Sequence, residues 1–160
     1  MALEKKKIDN ITIENARIIF RNFSGKGSKF NPEGKRNFCV VLDNDLASVL
    51  EKDGWNIRRR PPRDEDEEPF SFMSVACSYD HIRPNIYIIS GGKKTLLDED
   101  TVGTLDYAEI TNVDLTIRPH IWAVGDKEGI KAYVKNMYVT IEDDPLGRKY
   151  NDMDDEDIPF

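Results

Sequence analysis

Basic and aromatic side chains recur at alternate positions in three stretches of this chain. Thr116, Arg118, His120 and Trp122 alternate with Leu115, Ile117 and Ile121. Lys131, Tyr133 and Lys135 are spaced in the same way, and Arg17, Arg21 and Phe23 lie around Ile19. Successive side chains of an extended strand point to opposite faces. Each stretch therefore predicts a face of cations and flat rings backed by a face of aliphatics. Cations that follow phosphates, with rings that stack on bases, are what a single-stranded nucleic acid requires of a protein. Pairing with phosphates also releases counterions and makes affinity salt-dependent. Any solvated sheet face can carry the same residues, so this reading depends on the three faces converging.

Two further clusters carry cations. Lys26, Lys29, Lys35 and Arg36 lie in or beside a Gly- and Ser-rich segment, with Phe23, Phe30 and Phe38 close in sequence. Glycines let such a loop approach a phosphate backbone closely, yet no Gly-Lys-Ser/Thr signature opens a helix, so it is not a P-loop. Trp55 precedes Arg58, Arg59, Arg60 and Arg63, the densest group of cations. Arginine can both pair with phosphate and stack on a base. Asp64 to Glu68 could neutralise that group locally, and Trp55 fits equally well as a core anchor.

Enzymatic readings find less support. Asp98, Glu99, Asp100, Asp106, Glu109 and Asp114 are close in sequence. A two-metal nuclease needs carboxylates held together on rigid elements, whereas three of these fall in an apparent loop and read as solvated acids. His81 and His120 are the only histidines and lack a serine or cysteine partner motif for a hydrolytic triad. Cys39 and Cys77 have no CxxC or zinc spacing; both sit in apolar runs and read as reduced core thiols of a cytoplasmic protein. The residues thus imply no catalytic group, metal or cofactor. A metal-dependent nuclease and an interaction adaptor without nucleic-acid binding remain the alternatives.

The elements that must position these residues can be read from composition and punctuation. With 160 residues, 39% hydrophobic and 33% charged, the chain suits one soluble domain. It has no apolar run long enough for a transmembrane helix. Residues 1–7 lack the apolar region of a secretory signal. Net charge is −7, but unevenly spread. Residues 142–157 hold eight acids against two bases, while residues 1–63 hold fourteen bases against eight acids. That asymmetry suggests a polyanion-binding body over residues 1–142 and an acidic flexible tail over 143–160.

Strands are expected over Ile11–Phe23, Arg36–Leu42, Phe70–Tyr79, Ile86–Ser90, Glu109–Ala123 and Ile130–Glu142. Asp43 or Asn44 can cap a short helix with Leu46, Val49 and Leu50 on one face, and Gly54 stops it. Residues 58–68 read as an exposed loop. Residues 93–104 read as a loop or a single helical turn. The fold class is mainly all-β, an antiparallel OB-like barrel with one short helix and long loops.

The C-terminal residues Asp154, Asp155, Glu156, Asp157, Ile158, Pro159 and Phe160 combine carboxylates with a proline-stiffened apolar tip. This order closely resembles the C-terminal tip of bacterial single-stranded DNA-binding proteins, which recruits replication, recombination and repair enzymes. The body lacks the pattern of that housekeeping family. The segments Asn15–Phe23, Lys35–Leu42 and Ile130–Val139 are similar to single-stranded DNA-binding proteins of bacteriophages and prophages. The resemblance implies an OB fold, binding of single-stranded DNA without sequence specificity, and action in the cytoplasm of a bacterial host. It also implies a role in DNA replication, recombination or repair, and a monomer or homodimer rather than a tetramer. A flexible polyanion can compete with DNA for a basic groove. Deletion of residues 152–160 is therefore expected to tighten binding to oligo-dT at low salt, an effect that shrinks as salt rises. Equal affinities at low salt would remove the competition.

Overall fold

The computed structural model describes residues 8–142, apart from residues 30, 62, 63, 67, 68 and 81. Phe30, Arg63, His81 and the acidic segment expected over 143–160 lie outside the described residues. In chain order the elements are β1 (Ile11–Ile13), β2 (Arg17–Asn22), β3 (Arg36–Leu42), α1 (Asn44–Asp53), β4 (Arg58–Arg60), β5 (Phe70–Cys77), β6 (Asn85–Ser90) and β7 (Lys93–Leu97), followed by a 3-10 turn (Val102–Asp106), β8 (Ile110–Val124) and β9 (Lys127–Ile141).

Hydrogen bonding runs β1-β8-β9-β5-β3-β2. The two ends of that path are halves of one strand, separated only by Glu14–Ala16, so the sheet rolls up on itself as an OB-like barrel. The single strand expected over Ile11–Phe23 is thus interrupted. Asn15 adopts a positive φ of 52° and donates its N–H to Asp114 Oδ1 at 3.0 Å. The Ala16 N–H reaches the Val113 carbonyl at 2.7 Å. This break lets the chain leave β8, where Ile11 faces Ile117, and join β3, where Arg17 faces Val41.

Among the described residues the fold is mainly β with one short helix, as expected, although two ladders run parallel. β9 returns from the β8 hairpin in the direction of β5 and β6. It pairs with β5 through Val75–Ala132 and with β6 through Asn85–Asn136 onward.

Two segments expected as loops are strands. Arg58–Arg60 pairs with Phe70–Phe72 because its partners absorb the charge: the Arg60 guanidinium lies 5.6 Å from the Phe70 ring, and Arg59 Nη1 donates to Ser71 Oγ at 2.9 Å. Lys93–Leu97 forms a hairpin with β6, in which Ser90 pairs with Lys93 across Gly91 and Gly92. Both glycines have positive φ, 59° and 75°, as a two-residue hairpin turn requires.

Inward-facing residues fill the barrel with Phe38, Val40, Met73, Val75, Leu115, Ile117, Met137 and Val139, all at most 2% exposed. Asp43 caps α1, its carboxylate accepting from the Leu46 N–H at 2.7 Å; such a cap is worth about 1 kcal/mol. The helix buries Ala47 and Leu50 and packs Leu46 partly against the core, as expected for the two leucines, while Val49 is exposed and Ala47 takes its place on the apolar face. Cys77 is a buried core thiol, and burial pushes its pKa up. Cys39 is only half-buried, on the outer side of β3, with a smaller shift of the same origin. Both thiols are therefore protonated at neutral pH.

Phe23 stacks on Phe38 inside the barrel, ring centroids 5.1 Å apart. Asp106, ending the 3-10 turn, fixes that corner. Its carboxylate accepts from the Phe23 N–H at 2.6 Å, the Ser24 N–H at 3.1 Å and the Ser24 hydroxyl at 2.7 Å. Replacing Asp106 by Ala leaves these donors without their acceptor. Denaturant unfolding of that variant should show a loss of about 1.5–3 kcal/mol, the range for hydrogen bonds to a charged group.

Candidate nucleic-acid interface

The β8–β9 ladder sets out the alternating residues as the sequence predicts. Arg118 faces Tyr133, His120 faces Lys131, and Trp122 faces Gly129. Directly opposed residues share a face. Tyr133 is consequently surrounded by polar and cationic groups. The Arg118 guanidinium and Lys131 Nζ each lie 5.2 Å from its ring, and His120 meets it edge-on at 6.0 Å. Trp122 is 38% exposed. Its indole lies against Gly129, so close that a β-carbon there would stand 2.8 Å from Cζ2.

Beside this ladder run two contiguous grooves. One is lined by Trp55, Asn56, Arg58, Ser74, Ala76, Trp122, Gly129 and Lys131 among others. Ser74, Ala76 and Lys131 also line the next, with Lys35, Arg36, Asn37, Tyr79 and Tyr133. Small side chains on the outer face of β5 thus give a low floor between cationic and aromatic walls. Rings and cations can meet a ligand there without a bulky residue holding it off.

Arg36 is held in the second groove by Glu99, at 3.7 Å between Nη1 and Oε1. Its guanidinium also lies 5.7 Å from the Tyr79 ring. Burial pushes the Tyr79 phenol up to about 12, so it stays a neutral donor. Lys35 and Arg36 leave the Ser24–Lys35 loop, which is shaped by asparagines. The Asn22 carboxamide exchanges bonds with the Lys26 main chain at 2.9 and 3.1 Å. Asn31 donates to the Lys35 carbonyl at 3.0 Å and accepts from Asn37 at 3.0 Å. Lys26 and Lys29 are exposed on that loop.

Other residues expected at the interface have different places. Phe23 is enclosed in the core and cannot stack on a base. Trp55 is 4% exposed and bridges to Ile130, so it anchors the wall of the groove from behind. Arg21 Nη1 donates to the Leu105 and Ala108 carbonyls at 2.8 and 2.9 Å, which ties the 3-10 turn to β2. Arg17 lines a separate cleft with Arg21 and Tyr107. Arg59 turns its guanidinium to Ser71 and to Glu51, the latter at 3.5 Å. Arg58 lines the groove directly. Lys135 is exposed at a bulge, where Val134 pairs with Ile117 and Asn136 with Thr116.

That bulge conceals a second aromatic patch from period-two reasoning. Tyr133 and Tyr138 are five positions apart and would face opposite ways on a regular strand. The extra residue brings both outward. Tyr138 stacks on Tyr87 at 5.3 Å and 8°, with Lys94 Nζ 4.7 Å from the Tyr87 ring. Its sequence signal is the tyrosine pair itself, which becomes readable only with the bulge. Tyr79, Ser74 and Ala76 in the grooves were likewise not expected as interface residues.

Of the six acids clustered in sequence, Asp98, Glu99, Asp106 and Asp114 have structural partners. Asp98 accepts from the Thr101 hydroxyl and from main-chain N–H groups of its own turn, and the Thr101 contact lowers its pKa. Asp106 holds the Phe23 corner and Asp114 holds Asn15. Among the described residues no group of three or more His, Cys, Asp or Glu could hold a metal ion.

Trp122 depends on the absence of a side chain at Gly129. Gly129→Ala should displace the indole, weaken oligo-dT binding severalfold in a mobility-shift titration, and leave the cooperative thermal transition in place.

The whole body matches a known family. The model for phage ssDNA-binding domains covers residues 1–159. No curated protein matches the sequence. Among solved structures, the single-stranded DNA-binding protein of bacteriophage Enc34 in complex with ssDNA is similar at a TM-score of 0.56 and 14% identity, over 86% of this chain and 89% of that one. Another structure of the Enc34 protein gives a TM-score of 0.55 at 14% identity, over 92% and 88% of the two chains. These likenesses concern the fold, and the family follows from the match along the sequence: the chain belongs to the phage single-stranded DNA-binding domain family.

Proposed function

We propose that this protein binds single-stranded DNA, without sequence preference, along the groove between Trp122, Tyr133 and Arg36. The observation that carries this reading is the Tyr133 cluster. A ring flanked by Arg118, Lys131 and His120 stands beside exposed Trp122, over the low floor of Ser74 and Ala76. Rings stack on any base, and cations pair with any phosphate, so the arrangement is suited to coating exposed strands rather than to reading them.

The body would protect single strands and keep them unfolded during phage replication, recombination or repair in the host cytoplasm. Residues 154–160 would recruit partner enzymes, their carboxylates meeting a basic surface and Phe160 entering an apolar pocket. The protein would act as a monomer or homodimer. These roles are supported by the acidic, apolar-tipped tail of the sequence and by membership of a phage family. The Enc34 protein, which is similar in fold, is in complex with ssDNA, and this supports the proposed ligand.

Tryptophan fluorescence tests the groove. Oligo-dT should quench emission saturably, and duplex DNA much less. Since Trp55 is buried and Trp122 is not, Trp122→Phe should abolish most of the quenching and Trp55→Phe should preserve it. Lys131→Ala should reduce the slope of log affinity against log salt by about 0.7, the value for one phosphate contact on a single strand. Absence of any response, with no mobility shift either, would leave a tail-based adaptor as the better reading.

A further inference from the structure

Phe20 departs from both the alternation and the backbone geometry of its strand. It adopts a φ of 53°, a left-handed conformation that bulky L-residues rarely take. The residue lies where the β2–β3 register shifts between Ile19 and Asn22. Despite that strain its ring is 60% exposed, so core packing does not account for it. Strained residues that display a side chain to solvent are found disproportionately at binding sites.

The neighbours of the ring define what it could hold. Phe20 meets Phe72 edge-on, centroids 6.0 Å apart and planes at 68°, and Phe72 lies 5.7 Å from Phe70. Arg58 is the register partner of Phe72, and Arg60 of Phe70, so both arginines share the outer face with these rings. Phe20, Phe72, Pro61 and the three arginines 58–60 line one cleft. Arg59 contributes to that lining while its guanidinium is engaged by Ser71 and Glu51. Arg58 also lines the groove that contains Trp122 and Lys131, so the cleft continues the proposed DNA path.

We propose that Phe20 and Phe72, with Arg58 and Arg60, form an additional stacking subsite for an unpaired nucleobase, extending the single-stranded DNA path beyond the Trp122–Tyr133 groove. This rests on the reading of that groove as the DNA site. In an edge-on pair at least one ring keeps a face that the other does not cover, and a base can lie on it. The neighbouring phosphate then meets Arg58 or Arg60. Continuity with the groove and the positive wall favour DNA over a neutral apolar occupant. The bulge gains a purpose, since it swings the Phe20 ring out of the alternation and onto the Phe72 side.

The test uses Phe20→Gly in the full chain, because glycine accepts the positive φ and removes only the ring. Affinity is measured for oligo-dT of about 4 and about 16 nucleotides, spanning the range of site sizes for one such barrel. The expected result is about tenfold weaker binding of the longer strand, a typical effect of losing one base–aromatic stack, with the shorter strand unaffected. Phe20→Asn, which also tolerates this backbone, should give the same pattern with cooperative thermal unfolding retained. Unchanged affinity for the longer strand would overturn the subsite, as would an equal loss at both lengths. If the unsubstituted protein bound neither strand, the DNA reading itself would fall, and the two failures are thereby told apart.

Discussion

The ladder between β8 and β9 is the constraint on which the rest of the molecule depends. Two 15-residue strands pair from Ile110–Ile141 to Val124–Lys127. One flank of the ladder takes β1, and the other takes β5 and β6 end to end. Its inward residues, among them Leu115, Ile117, Val134 and Val139, fill the barrel. Because side chains alternate, burying those aliphatics forces Arg118, His120, Trp122, Lys131 and Tyr133 outward. Core and interface are therefore two faces of one pairing. A slip of one residue would exchange them.

Much of this was legible in the sequence. The alternation in Leu115–Trp122 and Ile130–Val134 gave both the strands and the outward set. The cap at Asp43 and the stop at Gly54 follow from side-chain chemistry that acts within a few residues. What stayed hidden depends on distant partners. Arg58–Arg60 reads as a charged loop until Phe70 and Ser71 are beside it. Phe23 looks like a stacking ring, and Trp55 fits a ring or a core anchor alike, because nothing local records that Phe38 and Ile130 cover them. Irregularities were the other blind spot. The bulge at Lys135 brings Tyr138 to the face of Tyr133, and the turn at Asn15 divides the first strand. Neither position carries a glycine to announce it. The hydrogen bonds of Arg21 were hidden for a related reason, since its carbonyl partners lie more than eighty residues away.

The net charge of −7 does not oppose binding of a polyanion, because the potential is local. Phosphates close to Arg118, Lys131 and Arg58 respond to charges within roughly one Debye length, about 8 Å at physiological salt. Several acids are already occupied by partners elsewhere in the fold. Asp106 and Asp114 are bound to main-chain N–H groups, and Asp98 is locked in its own turn. Glu128 lines the first groove, and Glu33, Asp80 and Glu99 line the second, where Glu99 pairs with Arg36. A phosphate arriving at Arg36 must compete with the Glu99 carboxylate, which restrains that cation.

The position of β9 in the chain also governs when the barrel can form. It is the last strand among the described residues, yet it joins β8 to both β5 and β6. During synthesis, at about 5–20 residues per second, the β2–β3–β5 meander and the β6–β7 hairpin emerge with their partner still unmade. Val113, Leu115 and Ile117 of β8 wait uncovered through the same interval. No partial barrel is available to the nascent chain, because the element that unites the two flanks arrives at the end. Folding of this domain therefore cannot complete its decisive step until β9 has been made. The long sequence separation of β1–β8 and β5–β9 makes that step slow compared with hairpin closure.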